Sequence, residues 1–243
     1  MRQVLALLLA LLLPQAAGAV ACRNDSFEGA AFTLCEVEAG EDLRLFLNGA
    51  DGPYGSFAAV NDALAAEGGT LAFAMNAGMY HRDLSPVGLF VAEGREAARL
   101  VTREGPGNFG LLPNGVFCWG DGRFRIVESR TFRATAPDCR FATQSGPMLV
   151  IGGALHPRFL PDSDSLHIRN GVGVSRDGRR AVFVISGDAV NFHRFGRYFR
   201  DRLGLPEALY LDGSISRLYA PALGRNDIGF PMGPIVGVVV PKG

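Results

Sequence analysis

The chain has 243 residues, 48 % of them hydrophobic, with 24 basic residues matched by 24 acidic ones. A neutral balance without basic blocks argues against nucleic acid as a partner and against adhesion to anionic membranes. Set apart from a leader, roughly 220 residues remain, enough for one large domain, and no Pro/Ser-rich linker, charge run or repeat divides them.

The leader is read first. Arg2 precedes an unbroken apolar run from Val4 to Leu13, Pro14 ends it, and Ala16, Ala17, Gly18, Ala19 and Ala21 follow. This is the layout of a secretory signal peptide over residues 1–21, too short for a permanent membrane span. Ala19-Val20-Ala21 predicts cleavage after Ala21, with Ala19 as the alternative. No later segment has the apolar length of an integral span. The domain of residues 22–243 is therefore expected in the periplasm or secreted.

Cys22, Cys35, Cys118 and Cys139 form no CxxC or Cys/His pattern, so no metal site and no cofactor are expected. An even cysteine count in an exported chain predicts disulfides. Of the three pairings, Cys22–Cys35 and Cys118–Cys139 close the shortest loops and are preferred. The rival is a lipid anchor on Cys22 as first mature residue, although Ala19 stands where lipoprotein leaders favour Leu.

The 32 Gly and 14 Pro, with mostly short apolar segments, indicate a sheet-rich α+β (or α/β) domain with a mixed sheet and few helices. Phe32–Val37 and Leu43–Leu47 alternate with period two and read as a hairpin. Ser56 caps a helix with Phe57, Val60 and Leu64 on its apolar face, ended by Gly68 and Gly69. Thr70–Met75 is then a buried strand that stops at Asn76. Short strands follow at Val87–Val91, Val116–Trp119, Phe124–Val127, Pro147–Ile151 and Val172–Val174. Ala181–Ile185 is a buried strand stopping at Ser186-Gly187-Asp188, with Asp188 as N-cap of a helix from Ala189 to Leu203. Its Phe192, Phe195 and Phe199 read as core, and its first N–H groups would favour an anion at the sheet edge. Ala208–Leu211 is the next strand, so the order predicts a parallel crossover placing Ser186 and Asp212 at one sheet edge. Ile235–Val240, without charge, reads as a central or covered strand.

Four polar clusters end or interrupt these strands. Asn76-Ala77-Gly78-Met79-Tyr80-His81, with Asp83 behind, suits close approach of a sugar ring, or is a turn with an Asx bond. Gln144 and Ser145 offer neutral groups that read hydroxyls, although Ser-Gly-Pro is also an ordinary turn. Arg169-Asn170-Gly171 presents a planar fork beside small residues, fit for phosphate or carboxylate, or for a surface salt bridge. Asp212-Gly213-Ser214 ends an apolar run on a carboxylate, the place where sheet proteins meet ligands, or forms an Asp-Gly turn. No Gly-x-Ser-x-Gly elbow or Walker loop is present, which sets aside Ser-His-Asp hydrolysis and nucleoside-triphosphate chemistry.

In order, these clusters resemble the phosphodiester glycosidase family. Asn76-Ala77-Gly78-Met79-Tyr80 is similar to its Asn-Gly-Gly-Phe-Phe segment. Arg169-Asn170-Gly171-Val172-Gly173 is similar to Arg-Thr-Ala-Ile-Gly, and Leu211-Asp212-Gly213-Ser214-Ile215-Ser216 to Leu-Asp-Gly-Gly-Gly-Ser. Asn170 replaces the family Thr, and Ser214-Ile215 replace Gly-Gly.

The resemblance implies an exported hydrolase acting on a phosphodiester-linked glycan, cleaving the glycosidic bond of a sugar-1-phosphodiester in the envelope or outside the cell. Arg169 would hold the phosphate and Asp212 serve as nucleophile or base. Asp83 or Asp188 would be the second carboxylate of glycoside cleavage. Asn76, Gly78, Gln144, Ser145, Asn170, Ser186 and Ser214 would bind substrate. A non-catalytic glycan-binding envelope protein, and a glycosidase or lyase on phosphate-free polysaccharide, are the alternatives.

Overall fold

A computed structural model describes residues 20–212 and 215–242. The elements run in order as β1 (Ala21–Phe27), β2 (Ala30–Glu38), β3 (Leu43–Phe46), the small pair β4 (Asn48–Gly49) and β5 (Gly52–Pro53), and helix α1 (Phe57–Ala66). Next come β6 (Gly69–Asn76), β7 (Phe90–Ala92), β8 (Arg95–Ala98), β9 (Gly115–Trp119), β10 (Phe124–Glu128) and α2 (Ser129–Thr135). Then follow β11 (Phe141–Ser145), β12 (Met148–Ile151), β13 (Ala154–Leu155), β14 (Asn170–Val174), β15 (Arg180–Ser186) and α3 (Phe192–Arg197). The last are β16 (Glu207–Tyr210), β17 (Leu218–Ala220), β18 (Arg225–Asn226) and β19 (Ile235–Pro241).

Three larger sheets share one interior. The first has order β1-β2-β15-β14-β16-β12-β13, the second β10-β9-β11-β7-β8, and the third β18-β17-β6-β19-β3. Phe183 and Ile185 of the first sheet, Phe117 and Trp119 of the second, and Phe73, Met75 and Val236 of the third pack into one apolar cluster. Side chains on alternate positions of the first sheet, such as Val182 and Val184, face outward onto Phe195, Tyr198 and Phe199 of the α3 region. On the third sheet, Leu71 and Ala74 do the same under Phe57, Val60 and Leu64 of α1. Strands covered on both faces have no polar side to show, which is why β6, β15 and β19 read as continuous apolar runs.

The sheet-rich domain with few helices stands, but the strand pairing differs from expectation. All named pairings between described strands are antiparallel. β15 and β16 do run in the same direction, yet they are not neighbours: β14 lies between them and pairs antiparallel with both. The predicted hairpin also separates. β2 pairs with β1 and β15, whereas β3 pairs with β19 in another sheet. The reason lies at the turn, where Ala39 N donates to Arg179 O (2.8 Å) and prolongs the β2–β15 partnership before the chain crosses to the third sheet. Both strands still feed the same interior, through Cys35 and Val37 on one side and Leu43 and Leu45 on the other. Alternation alone cannot tell a hairpin from two strands facing each other across a core.

Helix α1 matches its reading: the Ser56 side chain accepts from Ala59 N (3.1 Å), and Phe57, Val60 and Leu64 are buried. The helix after β15 is shorter than expected and is capped by Asn191, whose side chain accepts from Arg194 N (2.9 Å). It continues as a π-helical turn over Tyr198–Arg202. β19 is central, paired with β6 on one side and β3 on the other.

Both preferred disulfides are formed, Cys22–Cys35 and Cys118–Cys139. One sulfur cannot carry both a disulfide and a lipid, so Cys22 is occupied by Cys35. Two disulfides suggest an extracytoplasmic protein. No helix among the described residues is long and apolar enough to cross a membrane. Residues 1–19 of the predicted leader lie outside the described residues; Val20 is buried, and Ala21 pairs with Glu36 in β1.

Candidate active site

The site forms where the first and third sheets meet. Asn76 is the last residue of β6, and Asn170 is the first of β14; both are fully buried. Asn170 Nδ2 donates to Asn76 Oδ1 (2.7 Å), and Asn170 Oδ1 accepts from Asp212 N (3.0 Å). Asn76 Oδ1 also accepts from Arg217 N (2.9 Å). One asparagine thus spans three chain segments, and a buried polar junction of this kind holds each backbone in a single position. Asp212 lies two residues after the end of β16 and is 6 % exposed. Asn76 Nδ2, the remaining donor of that side chain, is buried and has no partner among the described residues. A buried donor left unpaired costs about 1–3 kcal/mol, so Asn76 Nδ2 is a donor that a ligand oxygen could satisfy.

Arg169 is fully buried beneath this junction. Its Nε donates to Val190 O (2.7 Å), Nη2 to Ser165 O (2.8 Å) and Nη1 to the Tyr210 hydroxyl (3.4 Å). The guanidinium carbon stands 3.7 Å from the centre of the Phe192 ring and 5.5 Å from that of Tyr210. Burial pulls its pKa down, and the Tyr210 hydroxyl beside it acts the other way. Ser186 Oγ accepts from Arg169 N (2.9 Å), so this strand-end hydroxyl anchors the Arg169 backbone. Phe192, read from sequence as core, is the platform for a cation.

Tyr80 and Arg217 complete the site. Tyr80 is half-buried, and its hydroxyl donates to Pro231 O at a long 3.4 Å. Burial, then the negative charge of Asp212, push the phenol pKa up to about 12, with Arg217 opposing the shift. Tyr80 therefore stays a neutral O–H donor across the physiological range. Arg217 was missed in the sequence because it sits alone between Ser216 and Leu218, in no motif. Its one available signal is position, five residues after Asp212 and just before β17.

The other predicted residues serve the frame. Gln144 is buried: its Oε1 accepts from Leu89 N and Val101 N, both at 3.0 Å, and its Nε2 donates to Ser129 Oγ (2.9 Å) and Val101 O. Every polar atom of its side chain is taken by the protein. Ser145 Oγ donates to Leu211 O, bracing the backbone before Asp212. Gly78 is needed for packing, since a Cβ there would lie 2.4 Å from Gln144 O and 2.6 Å from Thr143 Oγ1.

Neither candidate second carboxylate joins the cluster. Asp83 is exposed, and its Oδ1 accepts from Ser85 N (3.0 Å) and Ser85 Oγ (2.6 Å). Asp188 is exposed, and its Oδ2 accepts from Ala31 N (2.8 Å), so it caps a strand start in place of the helix. Ser214 lies outside the described residues. Asn76, Asn170 and Asp212 are brought together directly, with Arg169 and Ser186 immediately behind.

The chain shares 40 % identity with the uncharacterised protein YigE of Escherichia coli K12 over 151 residues, 62 % of this chain and 59 % of that protein. This chain thus spans under two thirds of that relative's length. Its fold is similar to the zebrafish N-acetylglucosamine-1-phosphodiester alpha-N-acetylglucosaminidase catalytic domain auto-inhibited by pro-peptide, with a TM-score of 0.61 and 12 % identity. That superposition covers 90 % of this chain and 81 % of the other. A hypothetical protein from Synechocystis (TM-score 0.59, 15 % identity, 90 % of this chain and 61 % of that one) shares the fold as well. So does a protein of Burkholderia pseudomallei K96243 (TM-score 0.56, 11 % identity, 86 % and 74 %). Such identities speak for the fold alone. Residues 69–231 match the model of the phosphodiester glycosidase family, and the segment includes Asn76, Asn170, Asp212 and Arg217. By that match the chain belongs to the phosphodiester glycosidase family.

Proposed function

We propose that the protein is an exported hydrolase that cleaves the sugar–oxygen bond of a sugar-1-phosphodiester in an envelope or extracellular glycan. The observation that carries this reading is the Asn170 bridge, which ties Asn76 Oδ1 to the Asp212 backbone and so holds Asp212 at the same junction as Asn76, whose Nδ2 has no partner among the described residues. In the reaction, Asp212 acts at the anomeric centre, as nucleophile or as the base that takes a proton from water. Asn76 Nδ2 and the neutral Tyr80 hydroxyl hold sugar oxygens. The bonding electrons leave with the phosphate oxygen, already a good leaving group, so no strong general acid is required at the positions of Asp83 or Asp188. Arg169 acts from beneath, as a positioning residue for Tyr210 and the Asn170 backbone.

The experiment is turnover of a panel of aryl and sugar α-phosphodiesters by wild type and Asp212→Asn. The reading expects phosphodiester cleavage that falls by about a thousandfold in the variant. Equal turnover by both proteins overturns the site. Glycan binding that survives Asp212→Asn without any product would replace the hydrolase by a binding protein.

A further inference from the structure

His156 opens the loop of residues 156–168 that runs from β13 to Arg169, and it is 2 % exposed. Its ring stacks on Phe159 (centres 4.7 Å apart, planes at 22°), and Phe159 stacks on Phe192 (5.1 Å, 7°). Phe192 in turn carries the Arg169 guanidinium at 3.7 Å. Four planar groups thus stack in series, from His156 to the cation behind the junction of Asn76, Asn170 and Asp212. The same loop gives that cation a carbonyl, Ser165 O accepting from Arg169 Nη2 (2.8 Å). Asn191 Nδ2 donates to Pro161 O (2.9 Å) and Ser163 O (3.1 Å), which ties the middle of the loop to the start of α3.

The hydrogen bonding of His156 fixes its protonation. Nδ1 accepts from Arg158 N (3.2 Å), so the folded ring is neutral and carries its one hydrogen on Nε2. Nε2 is buried and has no partner among the described residues. A second proton can enter only at Nδ1, where it would face the Arg158 N–H, donor against donor. β12 presents the Leu149 carbonyl, which accepts from His156 N (3.2 Å), and α3 meets Phe159 at Gly196, which has no side chain. The charged group that bears on the ring is Arg158, a cation itself paired with Glu104 (3.5 Å). Burial therefore pulls the His156 pKa down, with the Leu112 carbonyl opposing and Arg158 adding to the fall.

We propose that His156 is a positioning residue: neutral, it holds the stack behind Arg169, and protonated, it releases the loop and makes the site acid-sensitive. The effect on turnover rests on the hydrolase reading above. A depressed pKa means that the open loop takes up a proton more readily than the closed one. Closure is complete above about pH 6.5, the value of a free histidine, and weakens as the pH falls below it. Opening takes Phe159 from Phe192 and Ser165 O from Arg169, so Tyr210 and the Asn170 backbone lose their support.

The test compares wild type with His156→Asn, which keeps an acceptor near the place of Nδ1, and His156→Phe, which keeps a stacking ring. Neither replacement titrates. Among the NMR signals of the four histidines, the one lost in both variants should titrate below about pH 6.5 in wild type. A midpoint at or above that value overturns the assignment. Hydrogen exchange over residues 156–168, corrected for intrinsic rates, should quicken by up to about tenfold from about pH 7.5 to 5.5 in wild type and stay level in the variants. The same exchange response in all three proteins overturns it too. Over this interval kcat should fall more steeply in wild type than in either variant, with KM moving less. Parallel kcat profiles remove the positioning role. Absence of turnover in all three removes the hydrolase, and NMR and exchange then decide the assignment alone. Should one variant not fold, the other carries the comparison.

Discussion

Asn170 donates to Asn76 across the seam between two sheets, over 2.7 Å and 94 positions of sequence. The same side chain accepts from Asp212 N, so both ends of one amide are committed. Replacing Asn170 with Asp keeps the shape and removes the donor, setting two oxygens against each other. Asn170→Asp should cost about 2–3 kcal/mol in urea unfolding and lower kcat/KM, because Asp212 loses its fixed position. Unchanged stability would remove the junction from the account of the site.

Gln144 gives the opposite pattern. Its four bonds hold Leu89, Val101 and Ser129, and none reaches Asn76 or Asp212. Gln144→Ala should cost about 2–4 kcal/mol, since several buried groups lose partners at once. Activity per folded molecule, measured well below the melting temperature, should stay near wild type. A large fall in kcat with intact stability would return Gln144 to the substrate.

Arg169→Lys tests a fork against a point charge. An ammonium cannot meet Val190 O, Ser165 O and Tyr210 together, nor stack on Phe192 at 3.7 Å. A loss of about 2–4 kcal/mol is expected by thermal melting. As a positioning residue, Arg169 should affect kcat more than KM.

Asp25 contributes to acid stability. Its carboxylate accepts from Arg202 Nε (3.1 Å) and Nη2 (3.0 Å), and from the Tyr198 hydroxyl (2.9 Å). The Arg202 bond chiefly, against some burial, lowers its pKa from 3.8 to about 2. Because the folded value lies below the unfolded one, the contribution is complete above pH about 4 and is lost as pH falls through 2. Asp25→Asn should cost about 1–2 kcal/mol at pH 7 and nothing near pH 1.5, the surface position of Arg202 keeping the figure small. Parallel pH–stability curves for the two proteins would refute it.

Much of this arrangement was legible in the chain. Strands that stop on Asn76, Ser186 and Asp212 announced their own ends, and Ser56 and Gly68 punctuated a helix, because such signals are local. The junction was half legible: Asn170 was placed with the substrate-binding residues, while its bonds to Asn76 and Asp212 depend on sheet order. β14 lies between β15 and β16, and no pattern of alternation records that. Gln144 looked like a hydroxyl reader because a neutral amide is the same group whether it faces a sugar or a loop backbone. Arg217 has no motif at all; its burial and its backbone bond to Asn76 appear only after folding.

The reach of Asn170 has a consequence for how the protein becomes competent. Its partners lie 94 residues before it and 42 residues after it. No short fragment holds the site, and the growing chain cannot assemble it until β16 has been added and the sheets have closed. Contacts so distant in sequence are slow to form. Recovery of catalysis after dilution from denaturant should therefore trail the return of secondary structure, and a nick in any loop between Asn76 and Asp212 should silence the refolded halves unless they re-associate.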